Sequence, residues 1–402
     1  MKNNIIFILL ISLSSSTYAG IYNDTKHRWN IPIYYKIEAN ATQYNETVRK
    51  GFDLIQNFTC LNFTEKSSLS ISESGITFLQ LGDNCYSDYI GKKEDNTTNL
   101  IYLGKNCRGN PVFIASLVAQ VLGMFPEQTR HDRSSYVSIN YTNIKTNTNL
   151  TFFNISDSRV TSDYNTFYDY GSTLHYFSKS FANDTKYNTI NVTGKYSDRY
   201  QLMLGQKNTV TFGILKLLFS RYCNDSIIRG KGDSSEEEEE TWCPNGGYPN
   251  PKNKSACVCP YPFGSDCATI IGDEDCSKRI ILTEKEQSYT NEGSKVCNTL
   301  FIAPSNKKLN FTLVNLSSKD QTPCARASSM LEVKYKNSTE PMGLCFCGKI
   351  NKQYSITTEG PNLYVLYNGG QQTDKVTYKV QVIEPKKKSN NTKQKTKKTK
   401  KS

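Results

Sequence analysis

Thirteen cysteines constrain the fold of this chain more than any other feature of its 402 residues. Four of them lie between Cys243 and Cys267, in about 25 residues that are rich in turn formers. A segment of that size buries too little apolar surface to fold without cross-links. We therefore expect disulfide bonds, an oxidising compartment, and a chain of two or three domains that is exported from the cytosol.

The first residues have the layout of a secretory signal peptide over residues 1–19. Lys2 precedes an apolar run from Ile5 to Leu13, and small polar residues lead to Thr17-Tyr18-Ala19. This run of about nine apolar residues is too short to span a bilayer, and no later segment is long and apolar enough to do so. The sequence therefore predicts a secreted, extracellular protein without a membrane span.

About seventeen Asn-X-Ser/Thr sequons lie between Asn23 and Asn390, and each is an acceptor motif for N-glycosylation. The chain is also rich in Asn, Lys, Ile and Tyr, as A/T-rich codons would give. Chance occurrence of many sequons therefore stays open beside the prediction of a glycoprotein.

The net charge of +12 is concentrated at the C terminus. Nine lysines lie in residues 385–402, which offer no apolar face, so we expect a disordered basic tail. The tail is either a solvated appendage or a segment that binds anionic glycans or membrane surfaces. The acidic run from Asp233 to Glu240 cannot pack and marks a linker over residues 224–241.

Periodicity divides the rest of the chain into an α+β part and an all-β part. In residues 20–223, "NIPIYYKI" and "TNLIYLG" predict strands, and "ETVRKGFDLIQNFT" has mostly helical spacing of its apolar residues. In residues 276–384, "KLNFTLVNL", "MLEVKYK", "LYVLYNG" and "KVTYKVQVI" predict short strands broken by turn residues. We expect an all-β sandwich in this second region.

One helix of the α+β part is defined by its ends. Asn110 is a good N-cap, Pro111 suits the first turn, and Gly123 can take the left-handed turn that ends a helix. Apolar residues cover nearly the whole helix, so it should be part of a core. They are Phe113, Ile114, Leu117, Val118, Val121 and Leu122.

The segment after this helix, "EQTRHDRSSY", resembles the astacin family of zinc metalloendopeptidases, whose motif runs HExxHxxGFxHEQxRxDRxxY. The matching residues are Gly123, Glu127, Gln128, Arg130, Asp132, Arg133 and Tyr136. The stretch "YDYGSTLHYFSKSF" is similar to the family's Met-turn region. Its matching residues are Ser172, His175 and Tyr176, with Leu174 at the methionine position. The resemblance covers nearly all of residues 20–223 and implies a metzincin fold of two subdomains.

The same resemblance implies three zinc ligands, and the chain departs from it at each one. The ligand positions hold Ser116, Gln120 and Pro126, which offer a hydroxyl, an amide and no donor at all. The general-base position, whose glutamate takes a proton from zinc-bound water in the family, holds Leu117. We therefore expect no intact metal or catalytic site and no cofactor.

Other side chains do not replace the missing ones. The chain has three histidines, His27, His131 and His175, without a spacing that would rebuild a zinc site. Tyr176 matches the tyrosine that in astacins lies beside the metal and helps stabilise the tetrahedral intermediate. Without zinc we interpret Tyr176 as a vestigial, buried and hydrogen-bonded aromatic.

Glu127 corresponds to the glutamate that receives the buried amino terminus of the mature protease in the family. A chain cut near Gly20 begins almost directly with the family's first strand, so this structural role is still expected of Glu127. Gly123 is expected to keep its structural role at the helix end.

The cysteines also follow the resemblance. The family pairs the first cysteine of its domain with the fourth and the second with the third, which implies Cys60–Cys223 and Cys85–Cys107. Residues 242–267 resemble an EGF-like module, as in nematode astacins, with one bridge missing. That resemblance leaves the pairs Cys243–Cys257 and Cys259–Cys267.

Residues 276–384 resemble a CUB domain through "VCNTLFIAPSNKKLNFTL" and "LEVKYK". The resemblance implies Cys276–Cys297 and a bond from Cys324 to either Cys345 or Cys347. Our expected set of bonded cysteines includes Cys345. One cysteine is left over, and it either pairs between chains or stays buried and free.

Three functions remain open. The first is a secreted pseudoprotease that binds extracellular proteins, peptides or glycans through the protease scaffold and its modules. The second is a working zinc metalloendopeptidase with unconventional ligands, and the third is a glycosylated surface or matrix component. No nucleic-acid partner is expected.

Overall fold

The computed structural model describes residues 20–157, 159–223, 243–283, 285–326 and 329–384. Three predictions lie outside the described residues: the signal peptide over residues 1–19, the acidic linker over 224–241 and the basic tail over 385–402. No helix in the described part of the chain is long and apolar enough to cross a membrane.

The first part of the chain is built on a five-stranded sheet with the order β3-β2-β4-β6-β5. Its strands are β2 (Ile33–Ile37), β3 (Phe63–Glu65), β4 (Ile76–Gln80), β5 (Tyr86–Ser87) and β6 (Asn99–Leu103), preceded by the short β1 (Ile21–Tyr22). All neighbours are parallel except β5, which runs antiparallel to β6 at the edge. The short strand β5 therefore forms one edge of this sheet.

Two helices pack against each other beside this sheet: α1 (Asn45–Gln56) and α2 (Pro111–Val121). The buried side chains Phe52, Phe78 and Val118 belong to the core that the helices and the sheet share. A side chain at Gly51 would collide with Ile114, so the two helices approach closely at this glycine. Both predicted strands and the predicted helix of this region are confirmed within a few residues at their ends.

The second half of the α+β part adds three short strands and two helices. They are β7 (Val137–Ile139), β8 (Thr161–Ser162), β9 (Ile190–Val192), α3 (Ser197–Tyr200) and α4 (Phe212–Tyr222). β1 pairs with β8 and β7 pairs with β9, both antiparallel. Residues 20–223 thus form the mixed α+β fold that the sequence predicts.

A small module follows, with the hairpin strands β10 (Tyr248–Pro249) and β11 (Cys257–Val258). It is held by the disulfides Cys243–Cys257 and Cys259–Cys267. The Tyr248 ring stacks on Phe219 of α4, with ring centroids 4.3 Å apart, and its hydroxyl donates to the Phe58 carbonyl at 3.0 Å. The module is therefore packed onto the α+β part.

The described residues of the last region form strands and no helices, in two five-stranded sheets. One sheet has β12 (Lys278–Ile281), β14 (Val296–Ile302), β20 (Asn362–Asn368), β16 (Met330–Lys334) and β17 (Leu344–Phe346). The other has β13 (Gln287–Glu292), β21 (Lys375–Ile383), β15 (Lys308–Ser317), β18 (Lys349–Ile350) and β19 (Tyr354–Thr357). The all-β prediction agrees with this arrangement.

The two sheets share one apolar core, and this core continues into the α+β part. Phe301 and Phe311 belong to it from the two sheets, and Phe153, Tyr168 and Met203 belong to it from the α+β part. The strand region therefore packs directly on the second half of the α+β part.

Six disulfides form in the structure. Cys60–Cys223 and Cys85–Cys107 are the pairs that the resemblance implies for the α+β part. Cys276–Cys297 and Cys324–Cys347 cross-link the strand region. Our expected set was wrong to include Cys345, which is a free, fully buried thiol.

Candidate functional site

The helix that frames the site, α2, begins and ends where its sequence predicts. The Asn110 side-chain oxygen accepts hydrogen bonds from the backbone amides of Val112 and Phe113, at 2.9 and 3.1 Å. These bonds satisfy two of the amides that a helix start leaves unpaired. The helix ends at Val121, and Gly123 has a φ of +102°, a value that favours glycine.

Ser116 stands at the first family ligand position and is buried in this structure, with 4 % exposure. Its hydroxyl donates a 2.6 Å hydrogen bond to the Phe113 carbonyl of the same helix. The hydroxyl proton is therefore used within its own helix, and a neutral hydroxyl is a weak ligand for zinc.

Gln120, one turn later, is held by the edge strand of the first sheet. Its side-chain oxygen accepts a 3.1 Å hydrogen bond from the Ser87 hydroxyl in β5. The backbone carbonyl of Gln120 accepts a 2.9 Å hydrogen bond from the Gly91 amide, in the loop that follows β5. The loop after β5 thus lies against the helix face on which the family places its metal.

The remaining two positions offer no donor for a metal. Pro126 is buried, and its carbonyl accepts hydrogen bonds from the Thr129 amide and hydroxyl at 2.9 and 2.7 Å. Leu117, at the general-base position, has 3 % exposure and belongs to the core of the first sheet. A hydroxyl, an amide, a pyrrolidine ring and an isobutyl group do not fit a divalent zinc ion.

The three histidines lie in separate environments. His27 is bonded to the Asp24 carboxylate at 2.9 Å and stacks on Tyr22. His175 is buried between the Tyr168 hydroxyl, 2.8 Å from its Nε2, and the Tyr176 carbonyl, and burial lowers its pKa to about 4. His131 is exposed. Among the described residues, no group of three His, Cys, Asp or Glu side chains is placed to hold a metal ion.

Tyr176 lies in an aromatic cluster beside these positions. Its ring is 6.2 Å from Phe152, 6.2 Å from Phe153 and 6.0 Å from Phe181 between centroids. Its backbone amide donates to the Gln128 side chain at 3.1 Å. Burial raises the pKa of the Tyr176 phenol well above its usual range, so this group stays protonated at neutral pH.

Glu127 lines a small cavity of about 20 Å³ together with Gly20, Asp169 and Thr211. Its carboxylate accepts a 3.1 Å hydrogen bond from the Asp169 amide, and burial raises the pKa of Glu127 to about 7. Asp169 Oδ2 and Thr211 Oγ1 are buried without a hydrogen-bond partner among the described residues. The residues that line the cavity therefore include two buried oxygen atoms that lack a hydrogen-bond partner.

Arg130 connects this cavity to a buried cluster of charges. Its guanidinium bonds both oxygens of Asp132, at 2.9 and 3.0 Å, and lies 3.3 Å from Asp163 and 3.7 Å from Glu127. It also lies over the Tyr168 ring. Glu127, Arg130 and Asp132, which follow α2 in the motif, are therefore joined by ion pairs in the structure.

Lys207 is a residue of this site that the sequence did not reveal. Its ammonium donates to the Thr173 carbonyl and lies over the Phe113 and Phe177 rings, 5.5 and 6.0 Å from their centroids. Burial lowers the pKa of Lys207 to about 7. No local pattern around residue 207 indicates these contacts, because Phe113 and Thr173 are distant in the chain.

The chain is similar in sequence to known proteins. The family model "Astacin", which describes a family of peptidases, matches residues 21–223. The chain is 28% identical over 347 residues to zinc metalloproteinase nas-34 of Caenorhabditis elegans, covering 85% of this chain and 54% of that protein. It is 28% identical over 365 residues to zinc metalloproteinase dpy-31 of Brugia malayi, covering 85% and 57%.

Among solved structures, a hatching enzyme zinc-protease from medaka (Oryzias latipes), high choriolytic enzyme 1, is similar at 24% identity. The match covers 52% of this chain and 96% of that one, with a TM-score of 0.41. The chain spans about half the length of the relatives nas-34 and dpy-31. Through residues 21–223, the chain belongs to the astacin family of peptidases.

Proposed function

We propose that this chain is a secreted astacin-family pseudoprotease that acts by binding extracellular proteins or peptides and does not cleave them. One observation carries the proposal: the side chains at the four positions of the metal and general base are Ser116, Leu117, Gln120 and Pro126. In the structure the side chains of Ser116 and Gln120 form hydrogen bonds, Leu117 is packed in the core and Pro126 is buried.

The chemistry of peptide hydrolysis supports the proposal. In this family zinc supplies an activated water, and a glutamate takes the proton from that water. A general base contributes roughly 100- to 10,000-fold in rate, and the metal adds further acceleration by acidifying the water. A buried leucine cannot accept a proton, so no residue at this site replaces either contribution.

An extended peptide is the ligand that the scaffold suits best. β5 lies at the edge of its sheet, where a peptide can add as a further strand. Phe177, with 44 % exposure, and the Lys207 ammonium lie beside the first turn of α2. These groups favour a ligand that combines an apolar or aromatic residue with an acidic one.

The other regions are proposed to add binding surfaces. We assign the small module as EGF-like and the strand region as CUB-like, as their sequences suggest. Every sequon asparagine among the described residues is exposed or half-buried, which suits glycosylation in an extracellular compartment. The basic tail is proposed to favour anionic glycans.

Metal content tests the proposal without knowledge of a substrate. The full chain would be purified from a secreting host and analysed for zinc by mass spectrometry, beside an active astacin purified in the same way. We expect far less than one zinc per chain and no peptide cleavage that a chelator abolishes. Stoichiometric zinc with chelator-sensitive cleavage would support the alternative, an active zinc metalloendopeptidase like the named relatives.

A matched variant shows that the assay can detect a restored site. Ser116→His, Gln120→His and Pro126→His together place three histidines at the family ligand positions. We expect this variant to retain zinc after dialysis, while the natural chain treated in parallel does not. Equal retention by both proteins would mean that the natural side chains already bind the metal.

A further inference from the structure

One loop of the strand region reaches both other parts of the molecule. The docking loop, Tyr335–Met342, connects β16 with β17. The loop joins the edge strand β17 to its neighbour β16, a position that is often exposed. Its residues Tyr335, Thr339 and Met342 are nevertheless buried. The burial comes from its contacts with the α+β part and the small module.

Lys336, in this loop, enters a cage of three tyrosines on the α+β part. Its ammonium lies 5.9 Å from the Tyr136 ring centroid, 5.8 Å from Tyr170 and 5.5 Å from Tyr200. All three distances are within the range at which a cation is attracted to an aromatic face. Tyr170 and Tyr200 also stack on each other at 4.1 Å, so the cage is a packed unit.

Direct contacts flank the cage on both sides. The hydroxyl groups of Tyr335 and Tyr200 are 3.1 Å apart and buried. At the other end of the loop, Met342 packs against Gly171 of the α+β part. A side chain added at Gly171 would lie 2.7 Å from the Met342 sulfur, so only glycine permits this approach.

An ion pair in the same loop joins all three parts of the chain. Glu340 accepts a 2.5 Å bond from Lys216 of α4, and Lys216 also donates to the Gly246 carbonyl of the small module at 3.0 Å. The Thr339 hydroxyl donates to the Asn245 carbonyl at 3.2 Å. Glu340 is only 9 % exposed, so solvent screens this pair less than a surface ion pair.

The tyrosine cage is connected to buried residues of the candidate site. Tyr136 stacks on Tyr168 with centroids 4.4 Å apart, and the Tyr168 hydroxyl is bonded to His175 at 2.8 Å. Gly171, which contacts Met342, lies in the same segment of chain. The docking loop therefore rests on residues 168–176, which include Tyr176.

We propose that the docking loop is an intramolecular docking element that fixes the strand region in one orientation and holds residues 168–176 in their observed arrangement. Lys336 acts as its positioning residue, through the three tyrosines. A partner that binds the strand region would then influence the site through this loop. The inference goes beyond the proposed function, because it applies equally to a chain that cleaves peptides.

Hydrogen–deuterium exchange of the full chain tests the proposal. Lys336→Met keeps the apolar stem and removes the charge, and Lys336→Arg keeps the charge. We expect Lys336→Met to speed exchange in residues 168–176 and 335–342 on the order of 10-fold, because cation–π contacts with desolvated rings are lost. The Lys336→Arg variant should exchange as slowly as the natural chain in both segments.

Lys375→Met is the matched control, because Lys375 forms an exposed ion pair with Glu292 elsewhere in the strand region. It should leave exchange in residues 168–176 unchanged, and none of the variants should alter exchange in strands β2 and β4. A folded Lys336→Met protein with natural exchange in residues 168–176 would overturn the proposal. So would an Lys336→Met effect spread evenly over the whole chain.

A second variant keeps the proposal testable if Lys336→Met fails to fold. Glu340→Gln removes the ion pair with Lys216 and leaves the tyrosine cage in place. We expect faster exchange in residues 243–250 and 335–342, with a smaller change in residues 168–176. Unchanged exchange in all three segments would also overturn the proposal.

Discussion

The hydroxyl of Ser87 donates a 3.1 Å hydrogen bond to the side chain of Gln120, and so ties the edge strand of the first sheet to the helix that frames the site. In the astacin motif, residue 120 is a metal-ligand position. Here its amide is used inside the protein. The side chain at a metal-ligand position of the motif therefore makes a contact between two elements of the fold.

The N-cap of α2 should contribute measurably to stability. Asn110→Ala removes the acceptor for the Val112 and Phe113 amides, and we expect it to lower the free energy of unfolding by about 1 kcal/mol. Urea denaturation followed by circular dichroism measures this change. Asn110→Asp keeps the acceptor and serves as the control. An alanine variant as stable as the natural chain would contradict the cap assignment.

The general-base position should no longer tolerate a carboxylate. Leu117 is 3 % exposed in a packed core, so Leu117→Glu is expected to cost about 3 kcal/mol or more of unfolding free energy. Leu117→Met, which nearly conserves volume, should cost less than about 1.5 kcal/mol. Thermal and urea unfolding of both variants provide the comparison. Equal stability of the two variants would show that residue 117 is not in the core.

Cys345 in β17 and Cys347 directly after it should differ sharply in their contribution to stability. Cys347→Ser opens the disulfide to Cys324, across 23 residues, and should cost about 3 kcal/mol. Cys345→Ala removes only a small buried thiol and should cost about 1 kcal/mol. Thiol titration in denaturant adds a second measurement: the natural chain should release one thiol and Cys345→Ala none. Two thiols in the alanine variant would assign the bond to Cys345, because Cys324 and Cys347 would then both be free.

Glu127 should make stability depend on pH in a definite direction. An unfolded glutamate has a pKa of about 4.3, and burial raises the pKa of Glu127 in the fold to about 7. A pKa that is higher in the folded than in the unfolded state stabilises the fold at pH values below the unfolded pKa. This stabilisation is lost as the pH rises towards 7. Relative to Glu127→Gln, the natural chain should therefore lose on the order of 2 kcal/mol between pH 4.5 and 7.

The comparison with Glu127→Gln is needed because His175 acts in the opposite direction. Its folded pKa is lowered to about 4, so its contribution is lost as pH falls below 6.5.

An ammonium group at Gly20 gives a further test, since Gly20 lines the same cavity as Glu127. A chain that begins at Gly20 should show little of the loss, whereas a chain extended before Gly20 should show all of it. Identical pH profiles for the two chains would exclude pairing of the terminus with Glu127.

Local sequence signals predicted the elements but not their contacts. The cap residue Asn110 and the turn residue Gly123 act within a few residues of chain, so α2 could be placed from sequence. β15 and β21 follow alternating patterns in the same way. The positions of Ser116, Leu117, Gln120 and Pro126 came from the motif, which fixes spacing independently of the side chains present.

The parts that the sequence missed depend on tertiary packing. Cys345 and Cys347 are two residues apart, a spacing at which side chains of a strand point to the same face, so no pattern distinguishes them. The bond between Ser87 and Gln120 joins residues 33 positions apart. Lys336 meets tyrosines from a different region of the chain, and alternation in β16 gives no sign of them.

The disulfide between Cys60 and Cys223 has a mechanical consequence. Cys223 is the last described residue of the α+β part, and its partner lies shortly after α1, 163 positions earlier. Tension that enters the α+β part at Cys223 passes through this covalent bond to the end of α1. The helices and strands between the two cysteines lie in a closed covalent loop, which pulling cannot unravel while the bond is intact.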